Sequence, residues 1–259
     1  MNIVITMAGD GARFAEVGYP APKPFIEVGD KHILEWTTRS LPSISHYADS
    51  QKHNLIFAIR TEHDKQFHVA DRLRSIYGNS ISIVEFEALT RGNLETAYLA
   101  AKPIDNDDPI LFLDSDNYYD GSGFETFVQR FMDSYRDFAA VVYFEPHDRS
   151  YKWCFAHTDG YSVTELREKD KYSLDEGGKP MVGVFYFNNK RMFMKVAEDI
   201  LASGQTVANE FYMSQSISNL ISNGVPVYGH EVTNVIPLGT PKDIITARDK
   251  LAKLPTLNS

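Results

Sequence analysis

The sequence predicts one α/β domain, built on a mixed, mainly parallel central sheet flanked by helices, with a more β-rich second half. Three observations predict it. Short apolar runs at Ile3–Thr6, Leu55–Ile59 and Ile110–Leu113 have the continuity of strands buried on both faces. Segments of helical spacing separate them over residues 1–145, which implies βαβ units. Beyond that point the apolar pattern alternates, as in hairpins.

Each element follows in order. Ile3–Thr6 stops at Gly9, and a glycine-bearing loop runs on through Pro20, Pro22 and Pro24. Ile33–Leu41 has helical spacing. After the strand Leu55–Ile59, Thr61–Tyr77 reads as one amphipathic helix with Thr61 as its N-cap. Ile81–Phe86 alternates like a strand and Asn93–Ala101 is helical. Ile110–Leu113 ends in Asp114-Ser115-Asp116. Gly123–Tyr135 is helical and Ala139–Phe144 extended.

In the second half, Trp153–His157, Tyr161–Leu166 and Val182–Phe187 read as strands, and Asp159-Gly160 as a hairpin turn. Helices are expected at Arg191–Ala202, Asn209–Ser222 and Thr240–Lys253, with a late strand at Pro226–His230. No linker, low-complexity tract or internal repeat interrupts the chain. Residues 1–259 therefore read as one domain.

The 259 residues suffice for a sizeable core, and a net charge of −9 without a basic stripe argues against nucleic-acid binding. The single cysteine, Cys154, excludes an internal disulfide and a structural zinc site, which points to a reducing compartment. The start lacks the basic and long apolar regions of a signal peptide, and no run is long enough to cross a bilayer. The expectation is a cytoplasmic protein without membrane attachment; an oligomer stays open. The eight histidines show no metal-ligand spacing.

The chemistry concentrates at strand ends. Met7-Ala8-Gly9-Asp10-Gly11-Ala12-Arg13-Phe14 follows the first strand. Glycines there admit a nucleotide close to the backbone, and Arg13 can grip phosphate oxygens. Alone, such a loop reads equally as an ordinary βα turn. Pro22-Lys23-Pro24 stiffens the backbone around one lysine, which suits a cation held over a phosphate. Asp116 follows a buried strand, so its carboxylate projects at the carboxyl end of the sheet, where such sheets bind ligands. Magnesium takes one or two carboxylates plus substrate phosphates, and Asp116 can begin that site. A carboxylate that merely caps a turn is the competing reading of both aspartates, and it weighs more on Asp114 than on Asp116. Glu210 reads as a helix cap before it reads as a ligand contact.

Met7–Phe14, Pro22-Lys23-Pro24 and Asp116, in that order, resemble the nucleotidyltransferase family typified by sugar-1-phosphate pyrophosphorylases. The resemblance continues at Thr90-Arg91-Gly92-Asn93, Glu168-Lys169, Gly183 and Leu238-Gly239-Thr240-Pro241, and so covers nearly the whole chain. Met-Ala-Gly, Asp114-Ser115-Asp116-Asn117, Trp153 and Asn209-Glu210-Phe211-Tyr212 look closest to capsule-type members, some of them similar to cytidylyltransferases with non-sugar acceptors.

The resemblance implies a Rossmann-like (GT-A-like) domain with a nucleotide-binding half over 1–145 and an acceptor-binding half over 146–259. It implies that Met7, Ala8, Gly9, Gly11, Thr90, Gly92 and Asn93 hold the nucleotide. Arg13 and Lys23 act on the reacting phosphates, and Glu168, Lys169 and Gly183 face the acceptor. Mg²⁺ sits on Asp116. Members of the family often present a second acidic ligand just before the closing Gly-Thr turn. Here Asn234-Val235-Ile236-Pro237-Leu238 carries none, so Asn234, or phosphate and water, is left to fill that position.

The implied reaction joins the NMP part of a nucleoside triphosphate, a pyrimidine one being favoured, to a small phosphorylated metabolite and releases pyrophosphate. An acceptor phosphate with a second pKa near about 6 needs no general base. Three other readings compete. A GT-A glycosyltransferase would use the literal Asp-x-Asp. A nucleotide-sensing or scaffold protein would have lost catalysis. A dinucleotide-binding dehydrogenase would require a third glycine that the loop lacks.

Overall fold

The computed structural model describes residues 1–45, 53–146 and 148–254. Its strands are β1 Asn2–Thr6, β2 Glu27–Val28, β3 Lys31–His32, β4 Asn54–Arg60, β5 Ser82–Phe86, β6 Ile110–Asp114, β7 Asn117–Asp120, β8 Ala139–Phe144, β9 Cys154–Asp159, β10 Ser162–Glu168, β11 Lys179–Phe187 and β12 Val227–Pro237. The large sheet runs β5-β4-β1-β6-β11-β8-β12-β10-β9, with β7 attached to β12 and a separate β2-β3 hairpin.

The parallel pairs are β5–β4, β4–β1, β1–β6 and β12–β8. β11 runs antiparallel to both β6 and β8, and β9–β10 is the expected hairpin. Parallel character is thus confined to one half of the sheet and to the β12–β8 pair. A parallel neighbour needs a long crossover, usually a helix. Among the described residues no helix intervenes between β8 and Lys190, so the chain returns antiparallel.

Alternate residues of each strand supply opposite cores. Ile3, Ile5, Phe57 and Tyr186 pack with Leu34, Leu73 and Phe127 on one face. Val4, Ile56 and Phe112 pack with Leu94, Phe193 and Ile217 from the helices Asn93–Ala101, Lys190–Ser203 and Met213–Ser222 on the other. This two-sided burial explains the unbroken apolar runs. A third cluster, including Phe14, Trp36, Leu238 and Ile244, seats the last helix, Pro241–Leu251.

The expected helix Thr61–Tyr77 is two helices, Thr61–Phe67 and Val69–Tyr77, broken at left-handed His68. Asp64 Oδ1 accepts the Ala70 N–H at 2.7 Å and so starts the second helix from within the first. Thr61 is the first helical residue rather than the cap. The expected helix Asn209–Ser222 begins at Met213, because Ala208 and Asn209 are left-handed and Val207 pairs with Glu210 in a tight turn.

The chain visits β1, β4 and β5 on one side and then returns to β6 on the other side of β1. The gap between the carboxyl ends of β1 and β6 is therefore a topological switch point, where open α/β sheets place ligands.

Candidate active site

Two adjoining cavities, of about 590 Å³ and about 500 Å³, open at that switch point. Arg13, Asn93, Asp114, Asp116, Glu210 and Gly239 border both. The larger is lined by the loop after β1, by Lys23 and by the 89–93 segment. The smaller is lined by Trp153, Glu168, Lys169, Gly183 and Tyr212.

The loop after β1 turns at Gly11 into the short helix Ala12–Ala15, with Asp10 Oδ1 accepting the Ala12 N–H at 3.1 Å. Phe14 is buried, which leaves Arg13 exposed on the cavity side. Lys23 opens a 3₁₀ turn, Lys23–Phe25, whose Pro24 and Phe25 are buried, so the backbone beneath its ammonium is anchored. Its Nζ lies 2.8 Å from Asp116 Oδ2, both side chains being about a quarter exposed. The structure thus brings Arg13, Lys23 and Asp116 to one cleft.

β1 and β6 pair Thr6 with Asp114, and the Thr6 hydroxyl lies 3.4 Å from Asp114 Oδ1. Gly183, at φ 75°, faces the same carboxylate, and a Cβ there would overlap it. Burial first, then the negative charge of Asp116, pushes the Asp114 carboxyl up to about 7; Lys23, Thr6 and Asn93 pull it back. Asn117 Nδ2 donates to Asp116 Oδ1 at 3.1 Å. Gly239 of the closing Gly-Thr-Pro turn approaches Asp116 Oδ2 to where a Cβ would lie 3.0 Å away.

The Thr90–Asn93 segment borders the larger cavity. Gly92, at φ 141°, lies so close to the Phe211 backbone that any side chain would collide with it. Leu94 N–H donates to Phe211 O at 3.0 Å, Phe211 N–H to Arg91 O at 2.9 Å, and Met213 N–H to Asn93 Oδ1 at 2.9 Å. The segment is therefore fastened to the chain that borders the second cavity. Thr90 and Thr96 hydroxyls meet at 2.6 Å.

In the smaller cavity, Glu168 closes β10 and accepts from Ser214 Oγ at 2.7 Å. The neighbouring Cys154 thiol is pushed up by burial and by the Glu168 charge. Lys169 follows with φ 52° and donates from Nζ to Tyr212 OH at 2.6 Å.

Asn234 does not join the site. It is exposed, at φ 55°, where the β12–β7 register shifts, and it borders neither cavity. The carboxylate beside Asp116 is Asp114 instead. The sequence marks Asp116 as the metal ligand and leaves Asp114 weaker, although Asp114 itself ends a buried strand. Glu210 caps no helix and stands between the cavities; Tyr212 and Asn117 were not singled out as site residues.

Asp114 and Asp116 fit a magnesium ion. Among the described residues no group of three or more His, Cys, Asp or Glu side chains is arranged as a metal cage. Two carboxylates at the border of both cavities match magnesium's preference for few protein ligands.

Known proteins share this architecture. A nucleoside-diphosphate-sugar pyrophosphorylase from Vibrio cholerae RC9 superposes with a TM-score of 0.78 at 23% identity, covering 95% of this chain and 99% of that one. An inositol-1-phosphate CTP transferase from T. maritima gives 0.71 at 11% identity, covering 100% and 97%. UDP-glucose pyrophosphorylase complexed with UDP-glucose gives 0.72 at 13% identity, covering 97% and 98%. These likenesses concern the fold. No curated protein matches the sequence. Residues 2–253 match the family model for nucleotidyl transferases, and the chain belongs to that enzyme family.

Proposed function

We propose that the enzyme transfers the NMP part of a nucleoside triphosphate, a pyrimidine one being favoured, to a phosphorylated small metabolite such as a sugar 1-phosphate. Pyrophosphate is released, and the product serves as a cytoplasmic precursor for surface polysaccharide. The reading rests on one observation above all: two cavities, each of a size for a small molecule, meet where Arg13, Asp114 and Asp116 border both.

The triphosphate lies in the larger cavity against the loop of Met7, Ala8, Gly9 and Gly11, with its base toward Thr90, Gly92 and Asn93. The acceptor lies in the smaller one, its phosphate near Lys169, with Glu168 and the wall at Gly183 beside it. An acceptor phosphate oxygen attacks the α-phosphorus. A new P–O bond forms there, and the bond to the β-phosphate bridging oxygen breaks as pyrophosphate leaves. No proton need be removed from a dianionic phosphate. The barrier is electrostatic, since two anions must meet and charge must build on the leaving group. Lys23, pre-placed beside Asp116, and Arg13 stabilise that charge. Asp116 and Asp114 would hold magnesium, which would add charge neutralisation at the phosphates.

The paired Asp114 and Asp116 also suit the Asp-x-Asp of a glycosyltransferase. Product analysis separates the two reactions. A pyrophosphate-release screen of five nucleoside triphosphates against phosphorylated sugars, polyols and amines tests the proposal. Stoichiometric pyrophosphate with one pair supports it. Release of NDP or NMP from a sugar nucleotide, with no pyrophosphate from any pair, overturns it.

A further inference from the structure

The motif Asn209-Glu210-Phe211-Tyr212 lies outside the loop, lysine and aspartate that carry the proposed reaction, yet its backbone is tightly held. Phe211 is fully buried, its N–H donates to Arg91 O, and its carbonyl accepts from Leu94 N–H. Tyr212 N–H donates to Gln215 Oε1 at 2.9 Å and Met213 N–H to Asn93 Oδ1. Such fixation on both sides leaves the Tyr212 phenol little freedom. The phenol oxygen receives the Lys169 ammonium at 2.6 Å, and that ammonium lies 4.7 Å from the ring centroid.

Lys169 itself is held in the left-handed region, at φ 52°, with its N–H donating to Trp153 O at 2.9 Å. A non-glycine residue keeps that backbone only where its surroundings impose it, and such residues cluster at functional sites. Glu210 borders both cavities, and its negative charge acts on the same phenol. Burial raises the phenol above its ordinary value, the Lys169 charge lowers it, and Glu210 raises it again. The phenol thus stays a neutral hydroxyl beside the Lys169 cation.

We propose that Tyr212 is a positioning residue that aims the Lys169 ammonium at an anionic group in the smaller cavity. A lysine with four rotatable bonds is a poor locator of a phosphate unless its head is tethered. The tether runs through a segment zipped to the nucleotide-binding loop, so the placement of Lys169 follows the placement of Gly92 and Asn93. The inference rests on the acceptor assignment of the smaller cavity, but its test does not depend on turnover.

Inorganic phosphate is the probe, and its binding is measured by calorimetry to the full chain, to Tyr212→Phe, to Lys169→Ala and to the double variant. Tyr212→Phe keeps the ring and the backbone contacts. It weakens phosphate binding on the order of tenfold, the scale of a lost hydrogen bond to a charged group. Lys169→Ala weakens it at least as much, and Tyr212→Phe adds nothing in that background, because the phenol acts only through the ammonium. Wild-type affinity in Tyr212→Phe, or additive losses in the double variant, overturns the inference. Once an acceptor is known, Tyr212→Phe raises its KM and leaves the KM of the triphosphate within about twofold. Failure of the screen for pyrophosphate release would remove the proposed reaction while leaving the phosphate result standing.

Discussion

The Asp114 carboxylate fills the volume that a side chain at Gly183 would occupy, so the two residues specify each other across β6 and β11. Gly183→Ala adds a steric overlap to a left-handed backbone and is expected to cost about 3 kcal/mol of stability. Because the Asp114 Cβ would also lie 2.9 Å from the new one, Asp114→Gly is the change that removes the overlap, and Gly183→Ala in that background costs only the backbone strain of about 1 kcal/mol. Urea denaturation of the two variants decides: equal losses would mean that the carboxylate is not what excludes the side chain.

Lys23→Ala is expected to lower kcat by about 10²–10³, the usual scale for loss of a group that stabilises transition-state charge. Stability should change little, since the ion pair with Asp116 is partly exposed. Near-normal turnover in a folded Lys23→Ala enzyme removes Lys23 from the chemistry.

Asp116→Ala is expected to abolish magnesium-dependent turnover and to weaken Mn²⁺ binding followed by electron paramagnetic resonance. Asp114→Asn should weaken Mn²⁺ binding less, as it keeps one oxygen. Asn234→Ala should leave it unchanged, since Asn234 lines neither cavity. An unaltered metal response in Asp116→Ala excludes that residue as the ligand.

Asp114 also predicts a pH dependence. Its folded pKa, about 7, lies above its ordinary value of 3.8. The folded chain therefore binds the proton more readily than the unfolded chain, and stability falls as pH rises from about 4 to about 7. Asp114→Asn removes this loss, so the variant should be more stable than wild type by on the order of a few kcal/mol at pH 7.5. The gap should shrink toward pH 4. Unfolding in chelator across that range measures it, and a pH-independent gap contradicts the assignment.

Ala208 stands at φ 48°, a conformation that glycine adopts without strain. Ala208→Gly is expected to stabilise the fold by about 0.5 kcal/mol, the relief of strain exceeding the added freedom of the unfolded chain. A thermal melt that shifts downward would show that the turn is not strained at this residue.

The strands buried on both faces were readable because they write unbroken apolar runs; Ala139–Phe144 matches β8 residue for residue. Elements fixed by single polar contacts were not readable. The break at His68 depends on one Asp64 carboxylate reaching Ala70, which leaves no trace in periodicity. β7 was missed because Asn117-Tyr118-Tyr119-Asp120 looks polar, although its Tyr119 is buried. In the site, loop glycines and the Pro-Lys-Pro segment were legible because their backbone demands restrict residue type. The neighbours Asp114 and Gly183 are 69 positions apart in the chain, and only the β6–β11 pairing brings them together. Asn234 was placed by its position before the Gly-Thr turn, but a register shift in β12 carries it outward.

Six residues border both cavities, so the two compartments share one wall. A conjugate in which nucleoside and metabolite are already joined through two phosphates would lie across that shared border and displace either starting compound. Under the proposed reaction, the enzyme's own product is then its natural competitive inhibitor against both substrates. Flux through it would respond to how quickly downstream transferases clear that conjugate.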